Sequence, residues 1–137
     1  MIVVDASVLA DFLLGRTAAV DALERELVGR EQEPLHAPEL VDLETLNALR
    51  GLAAAGRVTP ERAGEAVSDL GDTRLIRYPH APLGERVWAL RHNLTAYDAA
   101  YVALAEGLED SVLLTGDAGL AAAGRRSLGP DRVRHVR

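Results

Sequence analysis

The sequence predicts a three-layer α/β/α domain with a mainly parallel sheet of four to five strands. Short apolar runs such as Ile2-Val3-Val4 and Val112-Leu113-Leu114 have the length and residue types of buried strands. Helical stretches separate successive strands, and parallel neighbours require such crossovers. The 137 residues, 48% of them hydrophobic, suffice for a single domain over residues 1–137 with one core and no staples.

The elements follow in order. Ile2-Val3-Val4 reads as a strand ending at Asp5, and a helix from about Ser7 to Leu14 is stopped by Gly15. Thr17 to about Arg30 is an amphipathic helix with its charges outward. Leu35-His36-Ala37 is a weak strand, and Pro38 is expected in the first turn of a helix running to about Ala55, closed by Gly56. Thr59-Pro60-Glu61 opens the next helix. Arg74 to Tyr78 is a third strand, ended by Pro79. Ala81 to His92 and Thr95 to Leu108 are helical, and Val112 to Leu114 is the fourth strand. Ala118 to Gly124 is a short helix, with Val133 to Val136 as a last strand. In such sheets chemistry collects where strands hand over to helices at their C-terminal edge, and Asp5 and Asp117 stand at two such handovers.

Composition removes several function classes. The absence of cysteine excludes disulfides, thiolate metal sites and cysteine nucleophiles. All 15 basic residues are arginine, so a P-loop or a Schiff base has no lysine to use. There is no G-x-S-x-G elbow, and no G-x-G-x-x-G follows a strand. His36, His80, His92 and His135 lack H-x₃-H spacing and read as surface or structural residues. No apolar run has membrane-spanning length and the start lacks a basic leader, so a cytoplasmic protein without membrane contact is expected. A net charge of −6 argues against nucleic-acid binding by bulk attraction. That charge is uneven, because the segment from residue 125 to 137 carries five arginines against Asp131.

Four carboxylates are the chemical candidates, and each has a plain alternative. Asp5 at a strand end is equally an N-cap. Asp98 completes a capping-box pattern begun at Thr95, yet the helix it opens is apolar nearly all round, where an unpartnered carboxylate is costly. Glu44 and Asn47 share a narrow polar stripe on a helix otherwise clothed by Leu40, Val41, Leu43, Leu46, Leu49 and Leu52, which favours a cleft over a solvated face. Asp117 after Leu114-Thr115-Gly116 reads as turn or cap as readily as site. Their shared placement distinguishes them, since an all-carboxylate set suits hard cations such as magnesium.

Four segments in register resemble one family. Ile2-Val-Val-Asp5-Ala-Ser7, the Pro38-to-Arg50 stretch containing Glu44 and Asn47, Leu94-Thr-Ala-Tyr-Asp98 with the helix after it, and Leu114-Thr115-Gly-Asp117 are together similar to PIN-domain proteins, and most of all to VapC-type toxins of bacterial toxin–antitoxin pairs. The resemblance spans essentially the whole chain. It implies a Mg²⁺- or Mn²⁺-dependent endoribonuclease cutting structured RNA such as tRNA or rRNA. Asp5, Glu44, Asp98 and Asp117 would be the catalytic and metal-binding quartet, with Ser7 and Thr115 holding carboxylates in place and Asn47 lining the site. It further implies hydrolysis by a metal-activated water, a homodimer and a small VapB-like antitoxin. The apolar helix around Val8 to Leu14 is a candidate partner groove, with core packing as the alternative. Arg50 and Arg91 lie nearest the acids in sequence as candidate RNA contacts. Competing readings are a PIN nuclease of another role and a non-catalytic α/β binding domain whose acids are only caps.

Overall fold

The computed structural model describes residues 1–137. Five strands form one parallel sheet: β1 (Ile2–Val4), β2 (Leu35–Pro38), β3 (Leu75–Tyr78), β4 (Val112–Thr115) and β5 (Val133–His135), in the order β3-β2-β1-β4-β5. Both neighbours of β1 run parallel to it, with Val3 opposite His36 on one side and Leu113 on the other. The chain therefore builds outward through β2 and β3, then returns to lay β4 and β5 on the other flank. The reversal falls between β1 and β4, where an open α/β sheet leaves a crevice beyond its strand ends.

Helices cover the sheet in two groups. The first comprises α1 (Ala6–Leu13), α2 (Thr17–Leu27), α3 (Val41–Ala54) and α4 (Pro60–Asp72), which pack on one another. The second comprises α5 (Gly84–Ala89), α6 (Ala96–Gly107) and α7 (Ala118–Leu128), with α6 lying against β1, β2 and β4. The apolar character of α6 is explained by its position, as Ala99 through Ala105 are all buried. Short side chains there let the helix approach the sheet closely. The α1 stretch is core as well, with Val8, Leu9 and Leu13 buried among α2, α3 and α4. Core packing accounts for most of its apolar residues, while Phe12 stays partly exposed and lines a shallow groove with Leu23 and Leu27 of α2 and the adjoining Val28.

Four element boundaries depart from the sequence expectation, the first being α2, which ends at Leu27 instead of running to about Arg30. Pro38 ends β2 opposite Tyr78, and α3 begins only at Val41. Pairing of β2 with β1 reaches no further than His36, so the missing proline N–H falls where β3 is the only neighbour. The expected helix over 81–92 is a 3₁₀ turn, Ala81–Leu83, followed by α5 and a run of i→i+3 turns through Asn93. Helix α7 passes through Gly124 instead of stopping there, and closes at Gly129 with φ of 93°. Gly124 serves packing: a Cβ at this position would meet Val133 Cγ2 at 3.2 Å and Leu113 Cδ2 at 3.3 Å. Gly15 and Gly56 adopt φ of 71° and end α1 and α3 as expected.

Two histidines tie elements together. His36 is buried and its Nδ1 lies 2.7 Å from the Tyr78 hydroxyl, while His80 Nε2 accepts the Leu40 N–H at 3.0 Å at the start of α3. Arg132 turns inward, donating to the carbonyls of Ala105, Leu108 and Ser111 around the end of α6. Leu113 is fully buried on β4 in the centre of the core. Leu113→Ala is expected to destabilise the domain by about 2–5 kcal/mol in urea unfolding, through lost burial and the cavity left behind.

Candidate metal and catalytic centre

Asp5 follows β1 and is 5% exposed, so its charge sits in poor solvent contact at the crevice floor. Three donors hold it. Oδ1 accepts from the Ser7 hydroxyl at 2.6 Å and from the Val8 N–H at 3.0 Å, and Oδ2 accepts from the Thr115 hydroxyl on β4. The Val8 bond makes Asp5 the N-cap of α1, so the capping role is real and occupies one oxygen. The Thr115 bond crosses from β4 and ties the two central strand ends together.

Asp117 repeats the arrangement on β4. Its Oδ1 accepts the Leu120 N–H at 2.7 Å, capping α7, and its own N–H donates to the Thr115 hydroxyl at 3.0 Å. Thr115 thus links both aspartates. Asp98 differs. Its N–H donates to Thr95 Oγ1 at 3.2 Å, but no hydrogen bond reaches back from its carboxylate to Thr95, and no donor approaches either carboxylate oxygen. The capping box is half made, which leaves a half-buried carboxylate without a protein partner.

Glu44, in the first turn of α3, accepts a 2.6 Å hydrogen bond at Oε1 from the hydroxyl of Tyr101. Tyr101 is 1% exposed and stands three residues after Asp98 on α6. Sequence reasoning missed this residue. The signal was present, because a buried tyrosine hydroxyl on an apolar helix requires an acceptor. The polar stripe of α3 holds only in part. Val41, Thr45 and Leu49 are buried, while Leu43 is 73% exposed beside Glu44.

The four groups act on one another. Burial is the largest influence on Asp5, Glu44 and Asp98 and raises all three above the ordinary carboxylate range. Repulsion adds to it: Asp117 acts on Asp5, Asp98 and Asp5 act on Glu44, and Asp117 and Asp5 act on Asp98. Burial and the adjacent Glu44 push the Tyr101 hydroxyl far above its usual value, keeping it a donor. No arginine or histidine forms an ion pair with any of the four.

Ser7 and Thr115 therefore touch Asp5 as expected. Asn47 is exposed and bonded to Arg50 Nε at 3.3 Å, with no hydrogen bond to the quartet. Arg91 stacks its guanidinium 4.5 Å from the centroid of Trp88 and is likewise committed elsewhere.

The donor set, all oxygen and without a counter-charge, could hold a divalent cation. Glu44 Oε2, Asp117 Oδ2 and both oxygens of Asp98 accept nothing from the protein. No three acidic side chains converge tightly enough to grip a bare ion between them. A magnesium ion that keeps several waters and binds through a few carboxylates suits so open a set.

The raised values have a consequence for stability. A carboxyl group with a higher pKa in the folded than in the unfolded state favours folding at low pH, and that contribution is lost as pH rises through the folded value. In EDTA, Asp98→Asn should melt at a higher temperature than wild type at neutral pH. The gap should close as pH falls below about 4, the ordinary aspartate value. Added Mg²⁺ should raise the melting temperature of wild type more than that of the variant. Thermal unfolding followed by circular dichroism reads all three outcomes.

Comparison with known proteins identifies the family. The family model described as PIN domain matches residues 2–126. Ribonuclease VapC1 of Mycobacterium tuberculosis is 44% identical over 88% of this chain and 89% of that protein. Ribonuclease VapC9 of the same organism is 42% identical over 91% and 92%. The crystal structure of PAE2754 from Pyrobaculum aerophilum matches with a TM-score of 0.65 at 29% identity, covering 96% of this chain and 81% of that one. By family match, identity and fold, the chain belongs to the PIN domain family, among its VapC-type members.

Proposed function

We propose that the protein is a divalent-metal-dependent endoribonuclease, the toxin of a type II toxin–antitoxin pair, cleaving structured RNA such as tRNA or rRNA. One observation carries the proposal: Asp98 and one oxygen each of Glu44 and Asp117 are left without a protein donor, and no arginine or histidine pairs with any of the four carboxylates. A binding domain whose acids are only caps explains Asp5 and Asp117. It does not explain Asp98, whose carboxylate caps nothing, or Glu44, whose carboxylate accepts from Tyr101 and from no backbone N–H.

In this reading Asp5, Glu44, Asp98 and Asp117 would hold Mg²⁺ or Mn²⁺, which would supply activation of a water and screening of charge on the phosphoryl oxygens. The chain's own residues set the geometry. Ser7 and Thr115 fix Asp5 from two sides, and Thr115 also fixes the backbone of Asp117. Tyr101 anchors one oxygen of Glu44 and leaves the other for the cleft. Hydrolysis in line with the leaving oxygen gives a 5′-phosphate and a 3′-hydroxyl.

The partners in this reading are RNA, a second copy of the chain and a VapB-like antitoxin. For the two protein partners, one candidate surface is the apolar face shared by α3, α5 and α6. Leu43, Trp88 and Tyr97 are exposed there beside a groove lined by Leu40, Leu83 and Val87. No helix is long and apolar enough to cross a membrane.

Asp5→Asn and Asp98→Asn should each reduce Mg²⁺-dependent RNA cleavage to background while keeping cooperative unfolding. Undiminished cleavage by both variants would remove the nuclease reading. Tyr101→Phe retains the ring and frees Glu44. It should weaken Mn²⁺ binding by about 10–100-fold, the usual effect of losing a group that orients a ligand, as read by titration calorimetry.

A further inference from the structure

A groove of about 380 Å³ runs between α2, α7 and β5, and its charge is opposite to that of the centre beside it. Arg25, Arg125, Arg134 and Arg137 line it against a single acid, Glu26. Glu26 is already engaged, accepting from Arg134 Nε at 2.8 Å. No ion pair joins Arg25, Arg125 or Arg137 to any carboxylate. A chain of net charge −6 thus concentrates unneutralised guanidinium groups in one groove.

That groove adjoins the carboxylates. His135 pairs with Thr115 across β4 and β5, and the Val136 N–H donates to the Thr115 carbonyl at 2.8 Å. The His135 ring bridges the two regions. Its Nε2 lies 3.2 Å from the Gly116 carbonyl, and Arg137 Nε donates to its Nδ1 at 3.3 Å. The neutral ring with its proton on Nε2 satisfies both contacts. Gly116, in turn, donates its N–H to Ser7 Oγ, one bond from Asp5.

We propose that this arginine groove seats the phosphate backbone of the RNA strand entering the acidic centre. The proposal rests on the ribonuclease reading above. A cluster of carboxylates repels a polyanion, so a substrate must gain attraction next to the site where it is repelled. Guanidinium forks match phosphate oxygens, and a cationic groove beside the centre steers the strand toward it. The lining has no phenylalanine, tyrosine or tryptophan on which a base could stack, and His135 is held by the contacts above. The contact is therefore with backbone rather than bases, and insensitive to sequence. Arg50 and Arg91, although nearer the acids in sequence, are bonded to Asn47 and Trp88 instead.

The test is fluorescence anisotropy with labelled oligouridylate and oligoadenylate in EDTA, where the strands stay intact, across a salt series. It compares wild type, Arg25→Ala/Arg125→Ala and Arg74→Ala, the last lying at the opposite end of the sheet beside Gln32. The double variant should bind both strands more weakly. Its slope of log K against log salt should be shallower by about 1.4, since each phosphate contact on a single strand contributes roughly 0.7. Arg74→Ala should follow wild type. A double variant indistinguishable from wild type, in a protein that cleaves RNA with Mg²⁺, overturns the groove and leaves the nuclease reading standing. Wild type that neither binds nor cleaves RNA overturns both. A loss confined to one of the two strands overturns the backbone assignment. Binding of polyglutamate but not RNA by the groove overturns the choice of occupant in favour of an acidic protein segment.

Discussion

The buried charge of Asp5 sets the terms for everything around it. A carboxylate with 5% exposure at the end of a central strand needs donors, and the fold supplies them from three places: Ser7, the Val8 backbone and Thr115. The Thr115 bond requires β4 to lie next to β1 in parallel register, which the order β3-β2-β1-β4-β5 achieves. The same threonine then receives the N–H of Asp117, whose carboxylate caps α7. Strand order, helix start and site geometry are thus fixed around one carboxylate.

Capping and chemistry share atoms here. Asp5 and Asp117 each give Oδ1 to a helix N–H, and the quartet still offers oxygens to the crevice from Asp98, Glu44 and Asp117. A capping explanation and a site explanation for the same aspartate are therefore compatible, and sequence pattern alone could not separate them. Three-dimensional placement does so: Asp98, with the clearest capping motif, leaves its carboxylate unbonded.

Layer architecture and strand identity were legible because apolar runs and helix punctuation dominate this sequence. Boundaries were less so, for identifiable reasons. Pro38 has a backbone angle that suits a helix start or a strand end, and only the extent of β1 pairing decides between them. Gly124 looked like a stop because its packing contacts come from Leu113 and Val133, distant in sequence. Tyr101 escaped notice because its acceptor lies on another helix, 57 positions away. Ser7 and Thr115 were legible through family likeness. The arginine groove was not, since its walls come from α2, α7 and β5, and only folding sets Arg25 beside Arg125 and Arg137.

Gly124 gives α7 a close seat, since a Cβ there would press on the side chains of Val133 at 3.2 Å and Leu113 at 3.3 Å. Asp117 caps the same helix seven residues earlier, about 10 Å along the axis at 1.5 Å per residue. The helix is a stiff rod between these points. A side chain added at Gly124 would have to push the methyl groups of Val133 and Leu113 aside, on the two strands whose ends lie beside the carboxylates. The acidic centre is in this sense backed by the close seat of the middle of α7 on β4 and β5.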